Sequence, residues 1–315
     1  MNINTVAKMN KISLTLSKCF YKVKWFTLGR WIGFFRQKRC LSILEKEGRN
    51  LLLKEYNYEN LSLASNMVFV MWYQGFDNLP EVIEKCLVSI KENLQGKKIV
   101  LISRENVGQY IDLPDYIYKK VDEGKISKTH FSDVIRVALL YKYGGTWIDA
   151  AAFITKKIPD DYFNHIFYSP SGIHSEIKKD FRYLFQKTPG WNISFQGSCK
   201  KSFPLYEFLY NFYIKWFEKY DVVVDYFQTD FLISLFLKYN ERFRIIINEQ
   251  KINNTREFDL ALMMNKILSK STRREVDKLL SENCIHKLTY KKNWRRCING
   301  KQTVYDYTIF DNLQS

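Results

Sequence analysis

His130-Phe131-Ser132-Asp133-Val134-Ile135-Arg136-Val137-Ala138-Leu139-Leu140-Tyr141-Lys142-Tyr143-Gly144-Gly145-Thr146-Trp147-Ile148-Asp149-Ala150-Ala151-Ala152-Phe153-Ile154-Thr155 holds a helix, a stop and a strand in twenty-six residues. Ser132 is placed to cap a helix whose apolar positions Val134, Val137, Ala138 and Tyr141 recur at helical spacing. Gly144-Gly145 ends it, because glycine accepts the left-handed backbone a helix terminus needs. Thr146, Trp147 and Ile148 then read as a short buried strand that delivers Asp149 at its carboxyl end. Asp133 and Arg136, three residues apart, share one helix face. An Asp–Arg pair at that spacing is commonly a solvated ion pair. A double-glycine stop and a second carboxylate just beyond it make a site the stronger reading.

Upstream, residues 67–72 form a continuous apolar run, as expected of a strand covered on both faces in a parallel sheet. Pro80 opens a helix to about Leu94, Gly96 ends it, and residues 98–103 read as a second strand. Strand–helix–strand order predicts an α/β domain whose ligands lie beyond the carboxyl ends of the strands. Trp72 and Ser103 then share a mouth with Asp149. Downstream, residues 163–169 and 191–195 suggest strands, 204–220 and 225–239 are aromatic-rich core helices, and the pattern weakens after Lys291.

The Ser-Asp-x-x-Arg helix, Tyr-Gly-Gly and the strand ending at Asp149 resemble the bacterial capsular polysaccharide synthesis proteins, relatives of glycosyltransferase family 32 and of the D-x-D sugar-binding glycosyltransferases. The run from Gly124 to Thr129 fits the same pattern, which extends loosely from Met67 to Tyr290. The resemblance implies a GT-A-like nucleotide-sugar-binding domain over residues 61–291, with a helical segment at 1–60, helical additions and a tail at 292–315. It implies transfer of a sugar from a nucleotide-sugar donor, expected to be UDP-linked, to a glycan or lipid-linked oligosaccharide, with retention of configuration. Asp149 takes the metal-binding place with Mn²⁺ or Mg²⁺, although Ala151 stands where the wider pattern has a second aspartate. His286 is the candidate for a compensating ligand, a surface histidine in a basic strand being the alternative, and Lys287 and Lys291 would offset a leaving diphosphate. Asp133 and Arg136 match positions that hold sugar hydroxyls, since a carboxylate accepts and a guanidinium donates in a rigid fork. Trp72 takes the place of an aromatic that stacks on the nucleobase; a core tryptophan is the alternative. Asp225 and Asp230 resemble a late acidic motif that serves the acceptor or caps a helix.

With 315 residues, 46% hydrophobic and 16% aromatic, the chain can bury a substantial core. Its net charge of +16 is uneven. Residues 1–50 carry eleven Lys or Arg against Glu45 and Glu47, a balance of +9 that leaves +7 for the rest. A nucleic-acid partner is disfavoured by that mildly basic body and by the lack of zinc-finger or RNP-type motifs. Within the first segment, Leu16, Cys19, Phe20, Val23 and Phe26 fall opposite Lys11, Lys18 and Lys22 on a helical wheel. Such a helix either lies on an anionic lipid surface or packs its apolar side on the body. Six scattered cysteines without a C-x-x-C pair suggest reduced thiols. No segment reads as a cleavable signal or membrane span, so the expected place is the cytoplasm, at the inner face of the membrane if the basic helix docks. Ala151 keeps one rival open, a catalytically silent carbohydrate-binding or scaffold protein.

Overall fold

The computed structural model describes all residues except 1, 60, 63–64, 160–162, 164–165, 171–194, 251–255 and 312–315. The chain begins with two helices, α1 (Ile3–Lys22) and α2 (Phe26–Leu52), then strand β1 (Met67–Met71) and helix α3 (Glu81–Asn93). Strand β2 (Lys98–Ile102), α4 (Asp115–Asp122), α5 (Lys128–Tyr143), β3 (Gly145–Ile148) and β4 (Ala152–Ile154) follow. After β5 (Phe195–Cys199) come α6 (Pro204–Lys219), α7 (Gln228–Tyr239), α8 (Glu241–Asn248), α9 (Asp259–Met263) and α10 (Lys270–Glu282). Strand β6 (Ile285–Lys287) and the short helix α11 (Val304–Asp306) complete the body.

The expected α/β organisation is present. A four-stranded sheet runs β2-β1-β3-β5, with β1 parallel to both β2 and β3 and β5 antiparallel at the edge. Strand periodicity divides the core in two. Phe69, Met71 and Trp147 face a layer built from α2, α5, α6 and α7, whereas Val68, Val70 and Ile148 face α3, β4, β6 and α10. β4 and β6 form a separate antiparallel pair, with Phe153 opposite His286 and Ala152 opposite Lys287.

Gly145 is required where α5 meets β3. Its φ is +83°, and a Cβ there would sit 2.6 Å from the Met67 carbonyl oxygen. No other residue lets β3 enter beside β1.

Several expected boundaries move. The cap of α5 is Ser127, whose Oγ accepts from the His130 N–H at 3.2 Å, so the helix starts before Ser132. The N-terminal wheel does not continue through residue 26: Lys24 has a φ of 61° and separates α1 from α2. Nor is the N-terminal segment separate from the body, because α2 packs along α6 and α7, and Arg36 reaches Asp225. Residues 166–170 are irregular instead of a strand, and residues 191–194 lie outside the described set, with the strand itself at Phe195–Cys199. The expected tail is partly core: Val304, Tyr305 and Ile309 are fully buried beside α10 and β6. Cys19, Cys40, Cys86 and Cys297 are free thiols.

Candidate functional site

The site lies at the carboxyl ends of β1 and β3. Trp147 and Asp149 are two residues apart, so an extended chain puts both on the α5 side of the sheet. There the Trp147 indole N–H donates to Asp149 Oδ1 at 2.7 Å. Arg136, one turn after Asp133 on α5, lies with its guanidinium 5.0 Å from the Trp147 ring centre. Its Nη1 donates to Asp133 Oδ1 at 3.1 Å and its Nη2 to Asp149 Oδ1 at 3.0 Å. Across the site, Lys287 Nζ donates to Asp149 Oδ2 at 2.5 Å. Two carboxylates are therefore bridged by one fork, and the second also holds an ammonium.

These charges set the titration. Burial alone would raise the Asp149 carboxyl, but Lys287 and Arg136 outweigh it and hold it below the ordinary carboxylate range. Burial raises Asp133, with Arg136 opposing and Asp149 adding to the rise. Asp230, also buried, is pushed up to about 7 by desolvation and by the neighbouring Asp133. Behind Asp133, Thr229 binds its carboxylate and shares a 2.5 Å hydrogen bond with the Tyr213 hydroxyl. The Asp149 side chain keeps 24% of its surface open, so a ligand can reach it.

Sequence reasoning brought Asp133, Arg136, Asp149 and Lys287 together, and the structure does the same. Arg136 is a clamp between carboxylates, its Nε buried without a partner, and not a free fork for hydroxyls. Trp72 is half-buried at the end of β1, its ring edge-on to Tyr290 at 5.1 Å. Lys291 is exposed, 5.9 Å from the Tyr290 ring centre.

His286 is elsewhere. Alternation along β6 turns it away from the face that Lys287 presents to Asp149. It is fully buried, with Nε2 3.2 Å from the Asn283 carbonyl oxygen, and burial lowers its pKa to about 4. Asp225 is also removed from an acceptor role. Its carboxylate is buried against Arg36, at 2.8 and 2.7 Å from Nη1, and fastens α2 to the start of α7. Asp230 joins the buried acids instead of the surface. Thr229, Tyr213 and Trp147 were not singled out as site residues; only the two-residue spacing of Trp147 from Asp149 signalled any of them.

A divalent cation needs several oxygen ligands converging on one point. Here both Asp149 oxygens are engaged by cations or N–H donors, Ala151 supplies no ligand, and His286 turns away. Among the described residues no three His, Cys, Asp or Glu side chains come together to hold a metal. These residues do not fit the expected Mn²⁺ or Mg²⁺.

Beside the site opens a cleft of about 1050 Å³. One wall is α1 with Lys8, Lys11 and Lys18, and the other carries Lys125, His130, Tyr226 and Lys291. On that wall the His130 ring, one turn before Asp133 on α5, lies 5.6 Å from the Tyr226 ring.

The model of the capsular polysaccharide synthesis protein family matches residues 21–308. Among curated proteins, the chain is similar to O-glycosyltransferase braB of Annulohypoxylon truncatum, 28% identical over 108 residues, 31% of this chain and 26% of that protein. It is also similar to glycosyltransferase afumC of Aspergillus fumigatus, 29% identical over 100 residues, 29% of this chain and 26% of that protein. The chain thus spans 26% of the length of the curated relatives it matches. Among solved structures, the PaToxG glycosyltransferase aligns with a TM-score of 0.36 at 11% identity, over 79% of this chain and 96% of that one.

Proposed function

Because this chain belongs to the capsular polysaccharide synthesis protein family, we propose that it is a glycosyltransferase, moving a sugar from a nucleotide-sugar donor to a surface or capsular glycan acceptor. The observation that carries the reading is Asp149, held by Arg136 and Lys287 at the carboxyl end of a parallel strand. Breaking a sugar–diphosphate bond leaves negative charge on the departing phosphate and electron deficiency at the sugar carbon. Lys287 Nζ lies 2.5 Å from Asp149 Oδ2, and an ammonium placed where that charge develops lowers the barrier.

In this reading the donor lies across the strand ends in the manner of a GT-A-type domain. Its nucleobase meets the Trp72–Tyr290 pair and its diphosphate lies toward Lys287 and Lys291. The Asp149 carboxylate, kept ionised by its two cations, accepts from sugar hydroxyls and faces the electron-poor carbon. Arg136 fixes Asp133 relative to Asp149, which makes it a positioning residue. The acceptor enters through the lysine-lined cleft.

The experiment is a screen of UDP-, GDP- and CMP-sugars for donor hydrolysis and transfer, comparing the native chain with Asp149→Asn. A loss of at least ~100-fold with an unchanged melting curve is expected, as for removal of an electrostatic group from a transition state. Equal turnover by the two proteins refutes the role of Asp149. No turnover of any donor refutes the enzyme and leaves the silent carbohydrate-binding protein. NMR of the product reads whether configuration is retained, as the family resemblance implies.

A further inference from the structure

The α1–α2 hairpin buries polar and small residues, Asn10, Ser17, Gly29, Gly33, Arg36 and Gln37, beside the apolar Val6, Tyr21, Cys40 and Leu44. Asn10 donates to the Val224 carbonyl and accepts from Arg39 Nε at 2.8 Å. A Cβ on Gly29 would meet the Tyr21 ring at 2.6 Å, so the two helices are close-packed there. Other large apolar side chains point the other way. Ile12 is 60% exposed, Val23 60%, Trp25 63%, Trp31 58% and Phe35 53%. Nine of the fifteen exposed large hydrophobics among the described residues lie within residues 9–35, so the exposure is concentrated on this hairpin. Of the two places open to the apolar side, lipid or the body, the body leaves it uncovered at Leu16, Val23 and Phe26, which all face out.

Basic side chains are interleaved with these residues. Lys11, Lys18, Lys22, Lys24, Arg30 and Lys38 are exposed, and no acidic residue precedes Glu45. No described helix is long and apolar enough to cross a membrane. A helix with an exposed apolar side and a basic flank lies in the plane of a lipid interface, the apolar groups below the headgroups and the lysines at the phosphates.

We propose that the α1–α2 hairpin docks this protein on an anionic lipid bilayer. Charge complementarity selects that occupant. A second copy would bring one lysine-rich face against another, and a nucleic acid would leave Ile12, Leu16 and Val23 in water. Docking brings α1, which is also a wall of the cleft, to the bilayer surface.

The test is co-sedimentation of the full chain with phosphatidylcholine vesicles, with and without phosphatidylglycerol, at low and high salt. Binding is expected only with the anionic lipid, weakening as salt screens it. The variant carrying Lys11→Gln, Lys18→Gln, Lys22→Gln and Lys24→Gln should bind at least ~100-fold more weakly, each lysine being worth several-fold at such a surface. The variant Trp25→Ser, Trp31→Ser and Phe35→Ser should lose binding although its charge is intact. Quenching of native tryptophan fluorescence by brominated lipid reports insertion without any substitution. Equal binding to neutral and anionic vesicles, no binding at low salt, no quenching, or full binding by either variant overturns the proposal. So does a change of oligomeric state in the variants without a change in vesicle binding, or salt-dependent binding of duplex DNA without binding of vesicles.

Discussion

Replacing Asp230 by Asn should stabilise the protein, and by more as pH rises. The carboxyl is 4% exposed, and burial together with the Asp133 charge lifts its pKa from 3.8 to about 7. The folded state therefore holds a proton that the unfolded chain releases. Below the unfolded value both states are protonated and the group costs nothing. As pH rises toward 7 folding is increasingly penalised, and above 7 the penalty is complete. At ~1.4 kcal/mol per pKa unit that penalty approaches about 4 kcal/mol. Asparagine keeps the shape and cannot ionise. Urea unfolding of both proteins should then give a stability gap that widens by about 2–3 kcal/mol between about pH 5 and pH 8, the other titrating groups cancelling in the difference. A gap independent of pH, or a variant less stable than the native chain at the alkaline end, refutes the assignment of a buried proton to Asp230.

Arg136→Lys should reduce donor turnover nearly as much as Arg136→Ala, both by ~100-fold, because one ammonium cannot bridge Asp133 and Asp149 as the fork does. Full activity of the lysine variant in steady-state kinetics would reduce Arg136 to a charge balance. Turnover in excess chelator should stay within about twofold of turnover with Mn²⁺ or Mg²⁺, since Lys287 and Arg136 stand where a metal would have to bind. Abolition by chelator and rescue by Mn²⁺ would defeat that expectation. Arg36→Met should cost about 3–5 kcal/mol in denaturant unfolding, because it strands the buried Asp225 carboxylate. Arg36→Met combined with Asp225→Asn should recover part of the loss, and failure to recover any would show that the arginine acts through packing alone.

What was legible in the sequence was local. The α5–β3 joint could be read because helical periodicity, two glycines and a short apolar run follow one another without a gap. The start of α5 was misplaced because Lys128, Thr129 and His130 lack apolar periodicity, leaving Ser127 without a signal. The choice between His286 and Lys287 was not local. Both stand in one short basic run, and only pairing with β4 fixes which face each takes. Asp225 and Asp230 are five residues apart in a single acidic motif, yet they meet different partners. One finds Arg36, 189 positions earlier in the chain, and the other is held in the Asp133 field. The core position of residues 304–309 was invisible because α11 is too short to show a period. On the N-terminal wheel the apolar and basic sides were evident, but not which side the body would leave uncovered.

The charges at the centre bear on what a donor must meet. Asp133 and Asp149 face Arg136 and Lys287, two acids against two cations, and Asp230 holds its proton through much of the range below 7. The centre is close to neutral by itself, so a diphosphate arriving there brings charge that the cluster does not already match. Lysines along the cleft are the adjoining supply. Lys125 is engaged by Glu123 and Asp221, which leaves Lys291, beside Tyr290 at the cleft, better placed to turn toward a phosphate. Lys287 has a different position: moving toward the diphosphate would release Asp149 Oδ2 on the side from which a sugar hydroxyl can donate. Under the transfer reading, donor binding and the freeing of Asp149 Oδ2 would be one movement of the Lys287 side chain.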